Sequence, residues 1–143
     1  MNPTTFIDSE LGALRWDPEL EWWEGSVKLL SAKPFTLYIF SRYSADGAIP
    51  AEARQVSRKL SQLELTCRRF AASELGKIQN EEWSEGRLVS EAEFAGRLIP
   101  ESIVIHESGY TEFHFGDDGL FWGHWVGVRI KPDGTFQEAV VEG

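Results

Sequence analysis

The segment from Phe113 to Trp125 sets two adjacent carboxylates, Asp117 and Asp118, and two of the chain's three histidines, His114 and His124, among large aromatic rings. Carboxylate oxygen and imidazole nitrogen are the usual ligands of divalent metals and the usual general acids and bases. Asp117, Asp118 and His124, with His114 and Glu24 beside them, therefore define a candidate metal-assisted or ligand-binding centre. Trp22 and Trp122 would supply aromatic anchors, and aromatic walls can dry a cleft enough to retune its titratable groups. The spacing itself assigns no metal. No helical histidine motif is present, and Asp-Asp-Gly is also what an ordinary strand-joining turn requires.

Other chemistries lack their residues. There is no Gly-x-Ser-x-Gly elbow, and Cys67 falls within an apolar helical stripe, where a thiol acts as a small core residue. Gly116, Gly119 and Gly123 have no following helix to present amides to a phosphate. No cofactor is expected.

With 143 residues, 42% of them hydrophobic and 13% aromatic, the chain can bury a substantial core and is expected to form a single domain over 1–143. A formal net charge of -9 repels phosphate backbones, so nucleic acid is an unfavourable ligand and a basic partner a favourable one. The single cysteine fits a reducing compartment, and Met1 to Glu10 lacks the basic and apolar regions of a signal peptide. No apolar run is long enough to span a bilayer. The expected location is cytoplasmic, without membrane contact.

Three strands are expected before the first helix. They are Gly12 to Trp16, Leu20 to Leu30 with a bulge near Gly25, and Phe35 to Tyr43, joined by turns at Asp17-Pro18-Glu19 and Ser31 to Pro34. The third places Phe35, Leu37, Ile39 and Tyr43 on one face and Tyr38 and Phe40 on the other. Ser44 to Pro50 then opens a helix. Ile49, Ala53, Val56, Leu60, Leu63, Cys67 and Phe70 alternate in steps of four and three, and Ala71, Leu75 and Ile78 continue a neighbouring stripe. One long amphipathic helix to about Gln79 follows from that period, roughly 40 Å in length, with Asn80 as its stop. Arg54, Arg58, Lys59, Arg68 and Arg69 gather positive charge on it.

Ser90 and Glu93 form a capping box, stapled by Val89 and Phe94, for a short second helix that Pro100 ends at Ile99. Four strands complete the chain: Ser102 to Glu107, Tyr110 to Gly116, Trp122 to Lys131 and Thr135 to Val141. A loop at Glu107-Ser108-Gly109 puts Ile103, Ile105, Phe113 and Phe115 on one face and Val104, His106, Tyr110, Glu112 and His114 on the other. Strict alternation puts Trp122, His124, Val126, Val128 and Ile130 together, and Pro132-Asp133-Gly134 is the closing turn. The expected fold is α+β, an antiparallel sheet of about seven strands in β3-α2-β4 order with one long and one short helix packed on it.

Asp17, Leu20 and Trp22 recur one hundred positions later as Asp117, Leu120 and Trp122, which raises the question of a duplicated strand-turn-strand unit. A wider pattern is carried by Trp22-Trp23-Glu24-Gly25 with Val27, by Ala71-Ala72 through Leu75 to Asn80-Glu81 and Trp83, and by Glu101-Ser102-Ile103. It continues in Glu112-Phe113, Leu120-Phe121-Trp122-Gly123-His124, and Asp133-Gly134 with Phe136. Through these residues the chain resembles the bacterial family known as domain of unknown function 2262. The resemblance implies one bacterial cytoplasmic domain and carries no activity or catalytic residue with it.

The leading expectation is a non-catalytic interaction domain, of immunity or adaptor type, holding a protein partner through acidic and aromatic surface that includes Glu19, Glu21, Glu24, Glu81, Glu82 and Glu85. The alternative is a small metal-assisted enzyme or ligand-binding domain at Asp117, Asp118 and His124. Oligomeric state is open.

Overall fold

Alternating apolar residues in strand after strand give this chain a sheet with one dry face. A computed structural model describes residues 5–29, 33–40, 51–106 and 108–143. Its sheet holds eight strands in sequence order: β1 Thr5–Asp8, β2 Gly12–Asp17, β3 Trp22–Val27, β4 Phe35–Phe40, β5 Ile99–His106, β6 Thr111–Gly116, β7 Trp125–Ile130 and β8 Phe136–Glu142. All neighbours are antiparallel except β4 and β5, which run parallel. A parallel pair needs a crossover, and the helical segment between Phe40 and Ile99 provides it.

The fold is thus α+β, with eight strands in place of about seven and the helices after the fourth strand in place of the third. The extra strand is β1. Four residues long and at the sheet edge, it gives almost no period to read. Asp8 ends it by accepting the N–H groups of Glu10 (2.9 Å) and Leu11 (3.0 Å), and Gly12 turns the chain with φ +78°.

Helix α1 is Ala51–Arg58 and α2 is Leu60–Ile78, followed by a π-helical turn at Gln79–Trp83. The single long helix expected from the period is therefore interrupted at Lys59 and runs past Asn80. Nothing in Ser57-Arg58-Lys59 breaks a helix by residue type. What distinguishes α1 is its tie to the β1–β2 turn, where Arg54 grips buried Asp8 and Arg58 grips Glu10. Arg68 pairs with Glu64 and donates to the carbonyls of Ala95 and Leu98. Arg54, Arg58 and Arg68, three of the five basic residues that the sequence gathers on this segment, thus fasten the fold. The stripe itself is as expected, with Ala53, Leu60, Cys67, Ala71 and Leu75 buried, while Ile78 is exposed. Burial and the nearby Glu64 carboxylate push the Cys67 thiol upward, which keeps it protonated and inert.

Asn80 does a different job from the expected stop: its side chain donates to the carbonyl of Val89 and accepts the N–H of Val89. That clamp leads into α3, Glu91–Arg97, where Ser90 Oγ accepts the Glu93 N–H at 3.1 Å. The helix ends two residues before Ile99. Pro100 excludes α geometry from Ile99, so Leu98 is already extended and Ile99 and Pro100 open β5.

The dry face is built from Leu14, Trp23, Leu37, Ile39, Ile103, Ile105, Phe113, Phe115, Val126 and Val128, against which the helices pack. The expected bulge at Gly25 is absent, since Trp22–Val27 pairs continuously with Phe35–Phe40. Gly25 instead makes room for a neighbour, because a Cβ there would stand 2.7 Å from Cδ2 of Leu14. Register shifts fall at Pro100/Ser102 and Arg129/Ile130. Gly134 closes the last hairpin with φ +88° and an N–H bond to the Lys131 carbonyl. The expectations for Tyr43, Ser44 to Pro50, Leu30 to Ala32 and Glu107 lie outside the described residues.

The hundred-residue echo is not a structural repeat. Leu14 is buried on the helix side whereas His114 lies on the opposite side, and Leu20 is exposed where Leu120 is buried. Among the described residues no helix is long and apolar enough to cross a membrane.

Candidate functional site

Asp117 to His124 form a loop, not the start of a strand, since β7 begins only at Trp125. Asp117 is buried and turned inward, and its carboxylate accepts the N–H groups of Gly119 (3.2 Å), Phe121 (2.8 Å) and Gly123 (3.0 Å). These bonds hold Trp122 at φ +58°, a conformation rare for a bulky residue, next to Gly123 at φ +92°. The Trp122 ring is exposed, meets Trp83 edge-on at 4.7 Å and donates through Nε1 to the Trp83 carbonyl.

Asp118 faces outward and pairs with Arg97, 3.2 Å away. His124 Nδ1 lies 2.6 Å from the carbonyl oxygen of Phe121, which can only accept, so this nitrogen carries the hydrogen. Asp117, Asp118 and Nδ1 of His124 are therefore each engaged by the loop itself or by α3. Among the described residues no group of three His, Cys, Asp or Glu side chains is placed to hold a metal ion.

The remaining three candidates, Trp22, Glu24 and His114, share the side of the sheet opposite the helices. Cross-strand register explains why. Trp22 faces Phe40 and Glu24 faces Tyr38 on β4, while Ser102 faces His114 and Val104 faces Glu112 across β5 and β6. Trp22 leans on Tyr38 (4.5 Å between ring centroids) and Phe40 (5.0 Å), and Phe40 stacks on His106 at 5.1 Å. Tyr110 closes this aromatic row against His106. Burial, with the Glu112 carboxylate adding to it, raises the Tyr110 hydroxyl above its ordinary pKa. The indole Nε1 of Trp22 donates to Glu24 at 3.1 Å, which fixes both side chains.

Beside the aromatic row lies an ionic ring. His114 Nδ1 is 3.3 Å from Glu142 and Nε2 is 3.7 Å from Glu112, while Arg129 reaches Glu112, Glu138 and Glu142. The bond that Arg129 donates to Glu138, reinforced by the charges of Glu142 and Glu112, raises the Arg129 guanidinium further above its already high value. Two glycines make room for carboxylates here, and Gly127 does so for the ring. A Cβ at Gly127 would press on the Glu142 carboxylate at 3.0 Å, and one at Gly116 on the Glu101 carboxylate at 2.8 Å. Gly127 is Cα-paired with His114, so the missing side chain lets Glu142 lie across the sheet toward the imidazole.

Sequence reasoning grouped Val104, His106, Tyr110, Glu112 and His114 on this face but omitted Tyr38, Phe40, Arg129, Glu138 and Glu142 from the site. Their signal was available: each occupies the alternate position of a strand whose other residues are apolar. No curated protein and no solved structure matches the chain significantly. The model of a family described as an uncharacterised protein conserved in bacteria matches residues 8–141, which include the whole aromatic row and every member of the ionic ring except Glu142, and the chain belongs to that family, DUF2262.

Proposed function

We propose that this protein is a non-catalytic binding domain, of immunity or adaptor type, that holds a protein partner on the face of the sheet opposite its helices. One observation carries the reading: half-buried Trp22, Tyr38 and Phe40 lean on one another beside a row of carboxylates, with no described helix packed over them. Large rings flanked by charge are the usual anchors of protein interfaces. Acidic composition favours a partner that is basic where it touches.

The test is capture from the native bacterium with wild-type protein, a Trp22→Ala/Tyr38→Ala variant and a Leu65→Ala control on the exposed side of α2. The reading expects one stoichiometric protein retained by wild type and control and lost from the sheet-face variant. Equal retention by all three would remove the face from consideration. Repeated failure to retain any protein would count against the domain class as well.

A second reading, a small-ligand or metal-assisted site, draws support from His114 with a carboxylate at each ring nitrogen. It moves away from Asp117, Asp118 and His124, whose carboxylates and imidazole Nδ1 serve the loop and α3. Divalent cations that leave the melting temperature of wild type and Glu142→Gln alike unchanged would sink its metal form.

A further inference from the structure

We infer that the partner's contacting segment is basic, and that one of its lysine or arginine side chains seats over the Trp22, Tyr38 and Phe40 rings against Glu24. This rests on the partner-binding reading above and adds the chemistry of the occupant.

Charge complementarity is the argument. Among the described residues on the strands of this side of the sheet, Glu24, Glu112, Glu138 and Glu142 stand against two guanidiniums, Arg15 and Arg129. Arg129 is already held by three of those carboxylates. Glu24 stands opposite Arg15 in the β2–β3 register with no ion pair between these two side chains among the described contacts, and its hydrogen-bond partner is the Trp22 indole N–H, a neutral donor that leaves its negative charge in place. The ring faces next to it carry the negative side of an aromatic quadrupole, so both components favour a cation and neither favours an anion.

The cluster is also built before any partner arrives. Trp22 is bonded to Glu24 and packed on two rings, and Phe40 is stacked on His106, so little rotamer freedom remains to be lost on binding. A bare divalent cation fits less well, because the oxygen donors are distributed along the sheet and do not converge. A planar guanidinium can stack on Trp22 and bond the Glu24 carboxylate with its edge, which gives arginine the advantage over lysine.

The experiment uses the full chain and a fluorescein-labelled arginine-rich decapeptide, its citrulline counterpart and a glutamate-rich peptide, followed by anisotropy at low and high salt. The arginine peptide should bind, weaken as salt rises, and exceed the citrulline peptide by about tenfold. Glu24→Gln and Trp22→Ala should each weaken it about fivefold. Glu81→Gln/Glu82→Gln, which removes exposed charge from the π-helical turn, should change it by less than twofold. Trp22→Phe, with a near-ultraviolet spectrum to confirm folding, keeps the test valid if Trp22→Ala does not fold.

Equal losses in Glu24→Gln and the Glu81/Glu82 control would mean general acidity and overturn the inference, as would equal binding of the citrulline peptide. Self-association abolished by Trp22→Ala would assign the face to a second copy of this chain and overturn it too. The two readings fail separately. A native partner lost on Trp22→Ala/Tyr38→Ala but retained by Glu24→Gln at high and low salt leaves the docking face standing and removes the basic occupant.

Discussion

The Asp117 carboxylate accepts the backbone N–H of Phe121 at 2.8 Å, joining the end of β6 to the middle of the loop that follows it. The same oxygen accepts Gly123, and the other accepts Gly119. Asp117→Ala would leave these donors without an acceptor beside a fully buried Phe121. A buried donor left unsatisfied costs about 1–3 kcal/mol, so the loss is expected near 3 kcal/mol in urea unfolding, with a stability change under 0.5 kcal/mol contradicting it.

The contrast between Asp117 and His114 shows which parts of the chain could be read from its order. Alternation identified the inward faces of β4, β5 and β6 because a two-residue period is local. It failed after Gly116, where Trp122 and His124 continue the period of Val126, Val128 and Ile130 by coincidence while belonging to a loop. No residue type announces Trp122 at positive φ; three bonds to Asp117, distributed over the loop, do. The face of the ionic residues was legible in the alternation, but their pairing into a ring was not. Glu142 reaches His114 across Gly127, and that diagonal depends on a register set partly by the shift at Arg129/Ile130.

Gly25 tests the reassignment from bulge to close contact. Its backbone φ needs no glycine, so Gly25→Ala would be harmless or favourable if space were available. Instead the new Cβ meets Cδ2 of Leu14, which is fully buried and cannot swing outward. Overpacking of this kind costs about 1–3 kcal/mol. A melting temperature equal to wild type would show that Leu14 relocates freely.

Asp8 should govern part of the acid sensitivity. Its carboxyl is held below the ordinary value of 3.8 chiefly by the side-chain bond from Arg54, which outweighs the opposing effect of burial, with the Glu10 and Leu11 N–H groups adding. A depressed folded value means that the unfolded chain takes up the proton first. The stabilisation is therefore complete above about pH 4 and is lost as pH falls through the folded value. Asp8→Asn should be less stable than wild type at pH 7, with the gap between their urea midpoints closing below pH 4. Curves that remain parallel from pH 7 to pH 2 would refute the assignment.

His124 and His114 should separate structure from binding. His124 bonds the Phe121 carbonyl and packs edge-on against Trp83 at 5.4 Å, so His124→Ala should lower stability by about 1–2 kcal/mol and leave partner retention within twofold. His114 sits in the ionic ring on the proposed docking face, between Glu112 and Glu142, where His114→Ala removes a contact surface. Its effect should be larger on retention of the captured partner than on stability. Measured together by urea unfolding and by binding of the captured protein, the two variants should show opposite profiles. If His124→Ala abolished binding in a fully folded protein, the loop and not the sheet face would be the functional surface.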